Sequence, residues 1–226
     1  ITGSSASAYD NQPWILALKN IIRLACESKD LKHLVGICFG HQIIANAMGY
    51  SVSRNGNGHE GGVARFRLTE KGMNYLRDLA PHSMPTQKND GNGMDLFLHL
   101  HCWHGDCVTM VDTMKGRRVE TAPVFELGGG NSNSACQMLI SETHANFKIL
   151  TFQSHPEFDV DVVTNIADRC LQSGSIDMKQ RKHIGDALIE NVSAVRRSAK
   201  WVQDAIYEFC RRSANSTELN VNAAPW

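Results

Sequence analysis

What this chain has little of narrows it before any motif does. It carries no net charge, since 23 Lys and Arg balance 23 Asp and Glu. Such a field does not draw in nucleic acid or an anionic membrane surface. The arginine pairs Arg117-Arg118, Arg196-Arg197 and Arg211-Arg212 therefore read as solvated faces. No apolar run approaches the length of a membrane span. The seven cysteines are odd in number and irregularly spaced, with no secretory leader, which predicts reduced thiols and a cytoplasmic protein rather than a disulfide scaffold. There is no internal repeat and no low-complexity tract. The first residue is Ile1 rather than Met, and "ITGSS" reads as the end of a buried strand entering a loop, so the chain is expected to be N-terminally truncated, starting inside a fold.

What remains is ordinary globular material: 226 residues, 42% hydrophobic and 20% charged, enough for one sizeable core. Pro13 opens a helix whose apolar positions Trp14, Leu18, Ile21, Ile22 and Ala25 recur at helical spacing. "HLVGICF" is a continuous apolar strand, as expected where both faces are covered, and "GHQIIANAMG" is a helix stopped by Gly49. Between Tyr50 and Met114 the chain is turn-rich ("RNGNGHEGG", "QKNDGNG"), with strand-like "VARFRLT" and "MDLFLHLHC" and a short helix near 72–79. A short element at 133–141 and the strand "KILTFQS" follow, then a helix expected to start at Pro156. Ile184, Leu188, Val192, Val195, Ala199, Val202, Ile206 and Phe209 step by three or four along a long amphipathic helix, 182–212. Residues 1–212 are read as one domain and 213–226 as a flexible tail. Strands alternating with helices predict an α/β, doubly wound, mostly parallel sheet with helices on both faces, whose sites lie at the carboxyl ends of strands.

Two candidate residues stand at such ends. In Gly36-Ile37-Cys38-Phe39-Gly40 a cysteine sits between a strand and a helix, with glycines two positions to either side. A nucleophile elbow needs that spacing, because the sharp turn lifts the side chain clear of the sheet and neighbouring side chains would collide. The helix N-terminus is expected to lower the thiol pKa. A thiolate also needs a base, and the base an orienting acid. "TFQSHPEFD" offers His155 directly after a strand, and Glu157 two residues on, where extended chain points both side chains the same way. Cys38, His155 and Glu157 form a candidate catalytic triad.

"GICFGHQ" together with "QSHPEF" resembles the class I, triad-type glutamine amidotransferases, particularly free-standing GMP-synthase-like members. "ITGSSASAYD...PW", "HGD" at 104–106 and "TEKG" at 69–72 carry the same likeness, over about residues 1–173. The resemblance implies a flavodoxin-like fold and γ-glutamyl transfer through a thioester on Cys38, with no cofactor. By the same likeness the backbone amides of Gly3 and Phe39 would form the oxyanion hole. Gln42 and the backbone of Gly105 and Asp106 would hold the amino-acid end of glutamine. Trp103 stands where many relatives carry a small polar residue, which could reshape the pocket.

Other constellations are weaker. His99, His101, Cys102, His104 and Cys107 invite a zinc reading, but strand alternation sends His99 and His101 one way and Cys102 and His104 the other, and no C-x-x-C knuckle is present, so no metal site is expected. "LGGGNSNSAC" lacks the Lys-Ser/Thr ending of a phosphate loop. The leading reading is a glutaminase-type cysteine hydrolase releasing ammonia from glutamine, with a separate ammonia-accepting synthetase as its partner if it has one. The alternatives are a stand-alone γ-glutamyl peptidase and a non-catalytic domain that keeps the fold.

Overall fold

The computed structural model describes residues 1–28, 33–85, 96–112, 125–144 and 147–221; Arg117-Arg118, the run "QKNDGNG" and residues 222–226 lie outside these. Pro13 occupies the first turn of α1 (Pro13–Glu27), where its missing N–H costs nothing, and Ile15 and Ile22 face inward. β1 (His33–Ile37) leads through Cys38 into α2 (Phe39–Ala47), which ends before Gly49 in the left-handed region at φ 90°. β2 (Tyr50–Arg54), β3 (Glu60–Leu68) and α3 (Glu70–Leu79) follow, α3 capped by the Thr69 hydroxyl accepting from the Gly72 N–H. After a short 3₁₀ turn come β4 (Phe97–His104), β5 (Asp106–Asp112), β6 (Glu126–Gly130), β7 (Met138–His144) and β8 (Phe147–Phe152).

α4 (Val160–Gln172) begins later than its proline suggests. The Asp159 carboxylate accepts from the Val162 N–H and so sets the start, while 156–157 form a turn. α5 (Met178–Val221) runs past Arg212, where the apolar periodicity stops, because no Gly or Pro interrupts the backbone until Pro225.

The strand order is β1-β8-β7-β6-β3-β4, with β2 and β5 forming a separate ribbon. The doubly wound α/β class holds, with helices on both faces, but the pairing is mixed. β1 and β8 are parallel, and the pairs β8-β7, β7-β6, β6-β3 and β3-β4 are antiparallel. The short links between β6, β7 and β8 leave no room for the crossover helix that parallel neighbours need.

Alternation along β7 and β8 divides two cores. Met138, Ile140, Leu150 and Phe152 pack with α3 and α5, around the buried Trp201 whose Nε1 donates to the Ala80 carbonyl at 2.9 Å. Leu139 and Ile149 pack with α1, α2 and the β2-β5 ribbon. Among the described residues no helix is long and apolar enough to cross a membrane.

This topology positions the site. Parallel register pairs Ile37 with Phe152, so β1 and β8 end at the same edge and the chain leaves one at Cys38 and the other at Gln153. The sheet curls until β4, last in the strand order, meets the loop after β8, where the His155 N–H donates to the His101 carbonyl at 2.7 Å.

Candidate active site

Cys38 has φ 53° and ψ −106°, and it is the one non-glycine with positive φ among the described residues. Strain of this kind costs on the order of 1–3 kcal/mol and persists only where the surroundings over-determine it. Three backbone bonds do so: the Cys38 N–H donates to the Phe152 carbonyl at 2.8 Å, the Gln42 N–H to the Cys38 carbonyl at 3.1 Å, and the Ile37 N–H to the Ile1 carbonyl at 2.9 Å.

The flanking glycines explain how such a tight turn is packed. A Cβ on Gly36 would stand 2.7 Å from the Gly40 backbone and the Ile44 side chain, and one on Gly40 would stand 2.2 Å from the Ile1 carbonyl oxygen. Strand, helix and the first residue close on one another at backbone distance, which only glycine permits.

His155 Nδ1 lies 2.7 Å from Glu157 Oε1, so the carboxylate holds a proton on Nδ1 and leaves Nε2 as the basic nitrogen. The ring stacks on Phe158 with centroids 3.9 Å apart and planes 7° off parallel. Gly3 joins the two ends: a Cβ there would be 3.1 Å from His155 Cε1, 4.0 Å from Nε2 and 3.8 Å from Cys38 Cβ. Gly3, Cys38 and His155 thus share one small volume.

His41 is three residues from Cys38 but cannot serve as its base. Burial, followed by repulsion from His104 and only partly offset by a backbone bond at Cys136, lowers its pKa to about 3. Its Nδ1 is 2.8 Å from the Thr151 hydroxyl.

The thiol is more basic than its place at a helix N-terminus predicts. Burial pushes the Cys38 pKa up to about 11; the Phe39 N–H lowers it, while the charges of Glu157 and Asp106 raise it further. Desolvation outweighs the helix end because Cys38 is only 6% exposed. The folded protein keeps this thiol protonated at neutral pH, so a neighbouring base must take the proton.

The remaining expected residues divide. Phe39 places its N–H at the sulfur. Gln42 is buried, and its Nε2 donates to the Asp106 carbonyl at 3.0 Å and to Gln153 Oε1 at 3.1 Å, so both of its N–H groups brace protein rather than face a ligand. The Gly105 carbonyl accepts from the Asn55 N–H at 2.9 Å. Asp106 turns its carboxylate to the Ser7 hydroxyl at 2.6 Å and the Tyr9 hydroxyl at 3.3 Å. The ring of Trp103 packs on His59 and against the buried cluster of Val163, Ala167, Ile184 and Leu188, while its carbonyl oxygen lies 3.9 Å from Cys38 Sγ. Among the described residues no three His, Cys, Asp or Glu side chains converge as a metal would require.

A buried polar network behind the site is invisible to sequence spacing. Glu60 accepts from Asn131 Nδ2 at 2.8 Å and Gln137 Nε2 at 2.7 Å, and lies 3.0 Å from His104 Nε2. Gln137 Oε1 accepts from the Ser154 hydroxyl at 3.1 Å, beside His155, and Gln153 Nε2 is 3.9 Å from Cys38 Sγ. Burial alone would raise the Glu60 pKa, but the bonds from His104, Asn131 and Gln137 together bring it below the usual carboxylate value. A depressed carboxylate pKa stabilises the fold above the unfolded value, ~4.3, and that contribution is lost as pH falls through the lower folded value. Glu60→Gln is therefore expected to cost about 1–3 kcal/mol at pH 7. In urea melts the gap from wild type should shrink below pH 4, and a gap independent of pH would remove the ionised network.

The family model for class I glutamine amidotransferases matches residues 13–164. A provisionally named glutamine amidotransferase of Saccharomyces cerevisiae is 35% identical over 72% of the chain and 53% of its own length. Gamma-glutamyl peptidase 4 of Arabidopsis thaliana is 26% identical over 78% of the chain and 59% of its own length. The chain thus spans little more than half the length of these curated relatives. Among solved structures, a glutamine amidotransferase from Thermotoga maritima superposes with a TM-score of 0.59 at 18% identity, covering 93% of this chain and 75% of that one.

Proposed function

We propose, for a chain that belongs to the class I glutamine amidotransferase family, that it hydrolyses a γ-glutamyl amide bond through a thioester on Cys38. The observation that carries this reading is the strained Cys38 elbow beside an imidazole whose Nδ1 is held by Glu157.

His155 Nε2 takes the Cys38 proton as sulfur attacks the γ-carbonyl carbon. Negative charge develops on the carbonyl oxygen, which the Phe39 N–H and the backbone amide of Gly3 would receive. His155 then returns the proton to the departing nitrogen, and the C–N bond breaks. Water, deprotonated by the same imidazole, attacks the thioester; glutamate leaves and the thiol regains its proton. Because the thiol pKa is near 11, attack and deprotonation are coupled, and no standing thiolate is needed.

Glutamine and γ-glutamyl peptides share the half of the molecule that this chemistry touches, and differ in the leaving group. Ammonia release from glutamine is the first reading. Similarity to a γ-glutamyl peptidase favours the second, in which an amino acid or peptide amine leaves. A soluble, partner-free preparation of the protein is expected to turn over at least one of the two. Ammonia and free amine would be quantified in parallel with glutamine and with a γ-glutamyl dipeptide. No turnover of either substrate, with or without an ammonia acceptor, would overturn the hydrolase reading.

A further inference from the structure

The Cys38 sulfur has two polar neighbours besides the groups already assigned to it. Its S–H donates to the Trp103 carbonyl at 3.9 Å, and Gln153 Nε2 donates to the sulfur at the same distance. Once the proton passes to His155, the carbonyl has nothing to accept, and a sulfur gaining negative charge needs donors instead. Cys38 is buried. A hydrogen bond to a charged atom is strong in such low-dielectric surroundings.

Which end of the Gln153 amide faces the sulfur is decided by its neighbours. The Asp106 carbonyl can only accept, so it takes an N–H from Gln42 at 3.0 Å, and the same Nε2 donates to Gln153 Oε1 at 3.1 Å. With its oxygen held there, Gln153 has its NH2 left to turn to Cys38. Two amides thus convert a backbone acceptor at the start of β5 into a donor at the sulfur. The reverse orientation would set an oxygen against the sulfur and disfavour its charge. Gln153 has little freedom to swing away, because its side chain is buried and its backbone N–H donates to the Gln137 carbonyl at 2.9 Å.

We propose that Gln153 is a further catalytic residue, its Nε2–H stabilising the negative charge that grows on the Cys38 sulfur as the proton moves to His155 Nε2, and that Gln42 is the positioning residue that fixes its orientation. No bond to Gln153 forms or breaks. The inference rests on Cys38 as the nucleophile of the proposed hydrolysis.

Alkylation of Cys38 by iodoacetamide reads the thiolate without any substrate, and turnover of γ-glutamyl-p-nitroanilide by the wild-type protein tests hydrolysis on its own. Alkylation rates are followed by mass mapping of the Cys38 peptide at pH 9, with the exposed Cys210 as internal control. Losing a hydrogen bond to charge disfavours a thiolate by ~10–100-fold, but the more basic thiolate is the better nucleophile, which offsets about half of that on a logarithmic scale. Gln153→Met should therefore slow Cys38 alkylation by roughly 3–10-fold. Gln153→Glu still accepts from Gln42 but sets an anion against the sulfur, so it should slow the reaction at least as much, which a merely bracing role would not do. Gln42→Met should give a smaller loss in the same direction. An unchanged Cys38 rate in Gln153→Glu, or in both Gln153→Met and Gln42→Met, would overturn the proposal. Should the variants at 153 unfold, seen as a changed Cys210 rate, Gln42→Met decides alone: slower alkylation supports the relay and an unchanged rate overturns it.

Discussion

Cys38→Ser is expected to reduce γ-glutamyl hydrolysis by ~10⁴-fold or more while the cooperative melt stays within a few degrees of wild type. The two halves of this expectation have different causes. Activity fails because a serine hydroxyl is far less acidic than even a thiol raised to about 11, and His155 cannot draw its proton. Stability survives because the substitution is nearly isosteric and the strain at φ 53° belongs to the backbone, which serine inherits. Selective labelling provides the second readout. A chloroketone shaped like glutamine should modify Cys38 in preference to the other six cysteines, because recognition and a neighbouring base act there together. Plain iodoacetamide should favour the exposed Cys210, while Cys102 and Cys136 are buried and the Cys26 thiol is pushed up to about 12, first by burial. Labelling spread evenly by the chloroketone, or full activity in Cys38→Ser, would remove Cys38 from the chemistry.

The parts of this site that could be read in the sequence are those whose physical requirement is local. A sharp strand-to-helix turn needs glycines at fixed offsets from its central residue, so Gly36 and Gly40 point to Cys38 within five residues. His155 and Glu157 are two residues apart, so their pairing is local as well. Its geometry differs from the extended chain that the sequence suggests: they meet across a turn at 156–157, closed by the Phe158 N–H on the His155 carbonyl. What could not be read depends on contacts far apart in sequence. Glu60 lies in the turn-rich "NGHEGG", and nothing within that run says that it meets Asn131, Gln137 and His104 in the interior. Strand direction was hidden for a related reason: alternation of strands and helices indicates an α/β class, but β6, β7 and β8 are joined by short links that make them antiparallel. The Gln42 amide is turned into the protein, where it braces the Asp106 backbone, a long-range contact that its place in "GHQ" does not announce. The Cys38 pKa went against the local rule because helix-end stabilisation acts over one turn, whereas desolvation by the β4 end and the loop after β8 needs the whole fold.

His155→Ala is expected to lower kcat/KM by roughly 10²–10⁴-fold, the usual contribution of a positioned general base. Glu157→Gln should cost less than His155→Ala, and the geometry gives the reason. Two groups hold the imidazole: the carboxylate at 2.7 Å from Nδ1, and the Phe158 ring stacked on it at 3.9 Å. A glutamine at 157 can still accept from Nδ1–H through its Oε1, and Phe158 still fixes the ring plane, so orientation largely survives. What is lost is the negative charge that favours the imidazolium formed as the Cys38 proton is taken. Because Glu157 is 47% exposed at its side chain, solvent screens part of that charge. The loss should therefore appear in kcat more than in KM. Adding Phe158→Ala to Glu157→Gln removes both constraints, and the pair should lose more than the product of the single losses, since each constraint is partly redundant while the other remains. Comparable activity in wild type, His155→Ala and Glu157→Gln would break the assignment of the base. Strict multiplicativity in the double variant would leave Glu157 as the sole orienting group and Phe158 as packing.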